Sequence, residues 1–404
     1  MLSRPSALPV SPSPPLPPLP PVSTTAGGAD WDVFCRIIDN FGDIGVCWRL
    51  ARQLASEHHL RVRLWVDELA TFRLLCPQVD PTRAVQELQG IEVRLWEKRL
   101  PAVTPAAVVV ETFACRIPEP FVERMAKRSP RPVWINLDYL SAEAWVPTCH
   151  TLPSPQPQLP LEKFFFFPGF TADTGGLLRE RDLLERRRQF VDNAGMHDAF
   201  WRRTGFTRPP VGHLLVSLFA YDNAVIGDLL AIWADAGVPL CCLAPLSQTL
   251  PAIRRFAGRA LEAGDTFRRG TLEVRVLPFL RQEHYDQLLW LCDVNFIRGE
   301  DSFVRAQWAA RPLVWHIYPQ QEGVHIGKLD AFLAIYCADL PAASALALRQ
   351  FWHAWNVGRI ETSVWQALAA NLPTLREHAI RWQDGLAQQD DLSRRLVNFA
   401  GSKL

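Results

Sequence analysis

Short, almost wholly apolar segments, each followed by a polar turn and an amphipathic stretch, recur along this chain from Trp31 onward. WDVFCRIID, Val62–Val66, Ile91–Trp96, Ala107–Thr112 and Pro132–Leu137 form one series of strands. HLLVSLFAY, PLCCLAP, Leu272–Leu277, Val294–Ile297 and Pro312–His316 form a second. Between them, VCWRLARQLA places Cys47, Trp48, Ala51, Leu54 and Ala55 on one helical face, and Glu119–Lys127, Asn223–Ala236 and Tyr285–Leu291 also read as helices. Strands that are apolar on both faces and alternate with helices belong to parallel sheets covered on both sides. The sequence therefore predicts an α/β protein of two doubly wound, Rossmann-like units with a cleft between them, and ligands in such sheets bind beyond the carboxyl ends of the strands.

The expected boundaries follow the changes in texture. Residues 1–29 are too rich in proline and serine to bury a core, and the prolines interrupt the apolar run that a signal peptide needs, so they read as a disordered tail. Residues 30–180 form the first unit, 181–210 a linker helix, 211–380 the second unit, and 381–404 a terminal helix expected to pack back on the first. Composition narrows the function. A net charge of +1 gives no footprint for non-specific nucleic-acid binding, and no apolar run reaches the length of a membrane span. The nine cysteines lack a CxxC pair and the ten histidines an HExxH, which predicts reduced thiols in a cytoplasmic protein and no bound metal.

The stretch VNFIRGEDSFVRAQWA (294–309) carries the sharpest local signal. A buried strand leads through Arg298, Gly299, Glu300, Asp301 and Ser302 into a helix from Phe303, with Ser302 or Asp301 as its cap. The free N–H groups and partial positive charge of that helix start, beside Arg298, suit a diphosphate. Glu300 is the anomaly there: it either serves chemistry or simply caps an ordinary corner. Asp39 and Asp43, in IIDNFGDIG after the first strand, occupy the default ligand corner of a parallel sheet, although an Asx turn and a helix cap would account for both. No GxGxxG follows that strand, so a dinucleotide is poorly supported. Phe219 and Tyr221, in SLFAYDN, and Phe279 with Gln282, in LPFLRQEHYD, lie just past strand ends, where aromatic faces can sandwich a base or merely fill the core. Arg179, Arg181 and Arg186–Arg188 read as a solvated helix face. Base-sized aromatic surfaces, a diphosphate corner and facing carboxylates are together the parts of a nucleotide-sugar transferase.

Six ordered motifs, DNFGDIG, INLDYLSAEAWV, FFFFPGF, SLFAYDN, LPFLRQEHYDQLLW and RGEDSFVRAQWAARPLVWHIYPQQEGVHIGKLDAFL, closely resemble those of the bacterial elongation factor P arginine rhamnosyltransferases. The likeness runs from Trp31 nearly to the C-terminus. It implies a GT-B glycosyltransferase with an inverting, metal-independent reaction that needs no cofactor. The donor would be dTDP-β-L-rhamnose, and the acceptor an arginine of elongation factor P, which the sugar activates for rescue of ribosomes stalled at polyproline. By the same resemblance Asp39, Asp43 and Glu300 are catalytic, Phe219 and Phe279 flank thymine, and Tyr221, Gln282, Arg298, Asp301 and Ser302 bind the donor, the last three around the diphosphate. The chemistry is consistent with this. A guanidinium whose pKa exceeds about 12 is a poor nucleophile, so one carboxylate must orient it while another takes a proton as the bond forms. Asp43 is expected as base and Asp39 as orienting group, with the reverse open, and Glu300 to fix the sugar or acceptor. Two rivals are a GT-B enzyme for another nucleotide sugar and a non-catalytic binder of elongation factor P.

Overall fold

A computed structural model of the chain describes residues 30–38, 41–96, 101–319 and 323–404. The first half runs β1 (Trp31–Cys35), α1 (Gly42–His58), β2 (Val62–Val66), α2 (Leu69–Leu75), β3 (Val85–Leu88), β4 (Ile91–Leu95), β5 (Val108–Thr112), α3 (Glu119–Lys127), β6 (Val133–Leu137), α4 (Val146–Cys149), β7 (Pro153–Pro155) and β8 (Glu162–Phe166). Its strands form one sheet in the order β3-β4-β2-β1-β5-β6-β8-β7. The six inner strands are parallel, with Val33 of β1 opposite Leu64 and Val110. β1, β2, β5 and β6 are buried along their whole length, because helices cover both faces.

Two helices, α5 (Leu183–Val191) and α6 (Ala194–Thr204), then lead into the second half. It comprises β9 (Leu214–Leu218), α7 (Val225–Ala234), β10 (Leu240–Pro245), α8 (Leu250–Ala257), β11 (Thr266–Arg269), β12 (Leu272–Leu277), α9 (Gln282–Leu291), β13 (Val294–Arg298), α10 (Glu300–Ala309) and β14 (Leu313–His316). The sheet order is β11-β12-β10-β9-β13-β14, parallel from β12 to β14. Five helices close the chain: α11 (Val324–Tyr336), α12 (Ala342–Val357), α13 (Thr362–Ala370), α14 (Leu372–Ala387) and α15 (Leu392–Gly401).

Both sheets depart from purely parallel pairing at their rims. β3, β7 and β11 are short antiparallel strands at the sheet ends, each paired with the strand next to it in sequence. The stretch 181–210 is two helices rather than one, because Asn193 ends the first turn sequence and caps the next helix by accepting the Met196 N–H. After α14 the chain returns to α1 and β8 of the first half. Asp391 accepts a bond from Gln53 of α1, Ser393 contacts His58, and Phe399 lies against Phe164 and Phe166 of β8. All nine cysteines are unpaired, and no helix among the described residues is long and apolar enough to cross a membrane.

The strand order reverses between β1 and β5 in one sheet and between β9 and β13 in the other, so each sheet has a switch point where helices diverge and leave a crevice. The first turn of α1 leaves one crevice and that of α10 the other, and the two helices meet. Gly45 makes the approach possible: a Cβ there would stand 3.2 Å from the Asp301 side chain.

Candidate active site

The corner after β13 is built by Gly299, whose φ of 69° and ψ of −174° suit a residue without a Cβ. α10 starts at Glu300, three residues before the expected Phe303, and neither Ser302 nor Asp301 caps it. Ser302 instead turns its hydroxyl back to the Arg298 carbonyl. The amides of the first turn lack partners within the helix and lie at the wall of a cavity of about 290 Å³. Phe219, Phe279, Gln282, Arg298, Asp301 and Ser302 all line this cavity. Phe279 meets Phe41, from the first half, edge-on at 5.1 Å. Ser247, Gln248 and Phe41 are lining residues that the sequence did not single out, because no periodic pattern marks loop residues past a strand.

Arg298 is buried, and its guanidinium carbon lies 4.8 Å from the Phe219 ring centre and 4.6 Å from that of Tyr221. Two aromatic faces thus hold a full positive charge beside a helix N-terminus. Behind them, burial and the neighbouring Arg298 push the His316 imidazole down to about 4. His316 is therefore neutral near pH 7, and its Nδ1 accepts the Tyr221 N–H at 3.2 Å.

A second cavity, of about 200 Å³, shares Gly42 and Gly299 with the first. Asp43, Tyr221 and Glu300 line it, together with Tyr139, Tyr318, His325 and Lys328. Asp43 stands in the first turn of α1 and is almost fully buried, and its Oδ2 accepts the Ile38 N–H at 2.7 Å. Helix N-terminal geometry at the end of β1 is what places it there. Glu300 accepts the Leu140 N–H from the opposite half at 2.5 Å. Burial pushes its carboxyl up to about 8; the nearby Asp43 and Asp138 add to the rise, while the Leu140 N–H and Lys328 oppose it. No Lys or Arg nitrogen lies within 4 Å of Glu300 among the described residues. Asp39 lies outside the described residues. Tyr221 faces this second compartment rather than the first, across the Arg298 guanidinium. Among the described residues no cluster of three or more His, Cys, Asp or Glu is arranged to hold a metal ion.

A third group of charges joins the two halves. Arg49 of α1 donates from Nε to Asp301 at 2.9 Å, and its other nitrogens reach Asp286 at 3.1 Å and Glu180 at 3.1 Å. Arg305 of α10 binds Asp286 at 2.7 Å and Glu180 at 2.7 Å. Burial works against the charge of Arg49, but Asp286, Asp301 and Glu180 outweigh it and hold its pKa above the ordinary arginine value. Burial likewise works against the Glu180 carboxylate, and Arg305 and Arg49 hold it well below the usual range. Asp301 and Gln282 also face α1, since the Gln282 amide donates to the Gly45 carbonyl at 3.0 Å. The arginines read as a solvated face are in part structural. Arg179 bonds the carbonyls of Ala387 and Gln389, and Arg187 those of Ala309 and the Gln383 side chain. Arg181 and Arg188 are exposed, the latter paired with Glu185.

Comparison with known proteins agrees with this geometry. The family described as "Elongation-Factor P (EF-P) rhamnosyltransferase EarP" matches residues 31–401. A protein-arginine rhamnosyltransferase of Pseudomonas aeruginosa is 50% identical over 372 residues, 92% of this chain and 98% of that protein. One from Neisseria meningitidis is 36% identical over 379 residues, 91% of this chain and 96% of its own. A solved structure described as the structural basis for EarP-mediated arginine glycosylation of translation elongation factor EF-P is 37% identical, with a TM-score of 0.66 over 93% of this chain and all of that one. The glycotransferase of kitacinnamycin, 11% identical with a TM-score of 0.50 over 92% of this chain and 99% of that one, shares the fold alone. The fold is thus GT-B, and the chain belongs to the EarP family of elongation factor P rhamnosyltransferases, enzymes of the protein-arginine glycosyltransferase class.

Proposed function

We propose that the cleft transfers rhamnose from dTDP-β-L-rhamnose to a guanidinium nitrogen of one arginine of elongation factor P, with inversion at the anomeric carbon. The observation that carries this reading is the meeting of Asp43 and Glu300, one from each half, in a compartment that opens directly beside the anion corner at Gly299. Burial and, to a lesser degree, the nearness of Asp43 keep the Glu300 carboxyl protonated near neutral pH, and a cation placed beside it would favour its ionised form. An arginine supplies one. Its planar fork matches carboxylate geometry, and its arrival beside Glu300 favours the ionised form of that group.

In this scheme the nitrogen forms its bond to the anomeric carbon as the bond from that carbon to the β-phosphate oxygen breaks. The nitrogen attacks from the face opposite the leaving group, which gives inversion, and Asp43 accepts the proton that it sheds. Asp39 orients the guanidinium, and Glu300 holds it against the sugar. The departing dTDP carries the negative charge away, and Arg298 with the amides of the α10 N-terminus stabilises it there, the task a metal ion performs in other transferases. Thymine lies between Phe219 and Phe279, with Gln282 and Ser302 at the cavity wall. The acceptor, a translation factor, places the enzyme in the cytoplasm.

Three measurements test the reading. Intact-mass analysis of elongation factor P after incubation with enzyme and dTDP-β-L-rhamnose should show one added deoxyhexose on arginine, and an unchanged mass refutes transfer. Thermal shift should favour dTDP over UDP and GDP, whereas equal shifts would assign the base pocket to another donor. Turnover after EDTA treatment should be undiminished; loss restored by a divalent cation would refute the metal-free scheme.

A further inference from the structure

The geometry points to Arg49 as a positioning residue, which fixes the height of Asp43 over the donor by tying helix α1 to the two residues that form the wall of the nucleotide cavity. This rests on the transfer reading above. Asp43 and Arg49 sit on the same helix, about 9 Å apart along its axis. Arg49 is 2% exposed, and its polar partners among the described residues are Asp301, Asp286 and the Gln282 carbonyl of the second half and Glu180 at the end of the first. Two of those, Asp301 and Gln282, line the nucleotide cavity.

Two further residues of α1 reach the same place. The Gln282 amide donates to Gly45 at 3.0 Å, its carbonyl oxygen accepts from Arg52 at 3.1 Å, and Asp301 lies against the open side of Gly45. A buried ion pair placed anywhere along the interface would hold the two halves together. This one ends on the residue next to Glu300 in sequence and on the first residue of α9, so any shift of α1 against α10 must move Asp43 relative to the anion corner. Only a rigid fork with several donors can serve all these acceptors at once, and a lysine cannot. Arg49 touches neither sugar nor acceptor in this account, and its contribution appears in the geometry of the transition state.

The test is a comparison of turnover and nucleotide binding in the full-length enzyme. Wild-type turnover on elongation factor P comes first: its absence would refute the transfer reading itself. With turnover established, Arg49→Gln should lower kcat at saturating donor and acceptor by about 100-fold, the cost of a misplacement near 1 Å. The Kd for dTDP, measured by titration on the same protein, should change by much less. Arg49→Lys keeps the charge among Asp286 and Glu180 and so keeps the interface folded, but gives up the Nε bond to Asp301. It should show the same split, and it decides the matter alone should Arg49→Gln fail to fold. An unimpaired kcat in a folded variant overturns the proposal. So does a loss of dTDP affinity equal to the loss of kcat, which would make Arg49 part of the nucleotide pocket rather than a positioning residue.

Discussion

Two sets of acidic side chains lie within a few residues of each other, and they are treated oppositely. At the interface between the halves, Asp286 and Glu180 are matched by Arg49 and Arg305 at 2.7 to 3.1 Å, and Glu180 is held well below the ordinary carboxylate range. In the cleft, Glu300 is pushed up to about 8 by burial and by Asp43, with a single backbone N–H and a more distant lysine to offset them. The first arrangement is complete in the free protein. The second disfavours the ionised form of Glu300. Acids matched by buried arginines hold the two halves together, whereas Glu300 sits in a cleft where burial and a neighbouring carboxylate disfavour its charge.

Several substitutions would break or sharpen that contrast. The largest effect belongs to the cleft: Asp43→Asn should cut transfer by roughly 10²–10⁴ in kcat while the dTDP titration stays at the wild-type value. Retained turnover would remove Asp43 as the base. At the interface the loss should appear as stability instead. Arg305→Met leaves Asp286 and Glu180 short of a partner and should cost about 3 kcal/mol in chemical denaturation, and an unchanged midpoint would show that the network is redundant. Arg298→Ala removes a charged donor from the anion corner, and calorimetry should find dTDP bound about 10- to 100-fold more weakly.

A further effect is in pH. Below about pH 8 the free enzyme holds Glu300 protonated, so kcat/KM for the acceptor should rise with pH, by at most about tenfold per unit, and level off above 8. The stability of the ligand-free protein should run the other way. A carboxyl raised from 4.5 to about 8 on folding stabilises fully below 4.5, and that contribution is lost as pH rises through 8. Glu300→Gln should flatten both curves, and a profile identical to wild type would place the titration elsewhere.

The parallel strands and the two strand-end corners were legible in the sequence for one physical reason. A strand buried on both faces must be an uninterrupted apolar run, and the corner after it must carry whatever the sheet presents to ligand, so WDVFC and VNFIR announced Asp43 and Glu300. The rim strands β3, β7 and β11 bury at most alternate side chains, and PSP or TFRR has no such run. The start of α10 was misread because a polar triplet normally signals a cap, whereas here glycine makes the turn and Asp301 points across to Arg49. Arg49 itself was invisible. Its partners stand 131, 237 and 252 residues away, and a lone arginine between Trp48 and Leu50 carries no periodic signal.

The most direct measurement of the central claim is a crystal structure with dTDP-β-L-rhamnose and an acceptor that cannot react. The diphosphate should lie on the amides after Gly299, thymine between Phe219 and Phe279, and the arginine fork between Asp43 and Glu300 on the face of the sugar away from the diphosphate. A nucleotide bound in that cavity with its sugar turned out of the compartment of Asp43 and Glu300, or an arginine held elsewhere, would contradict it.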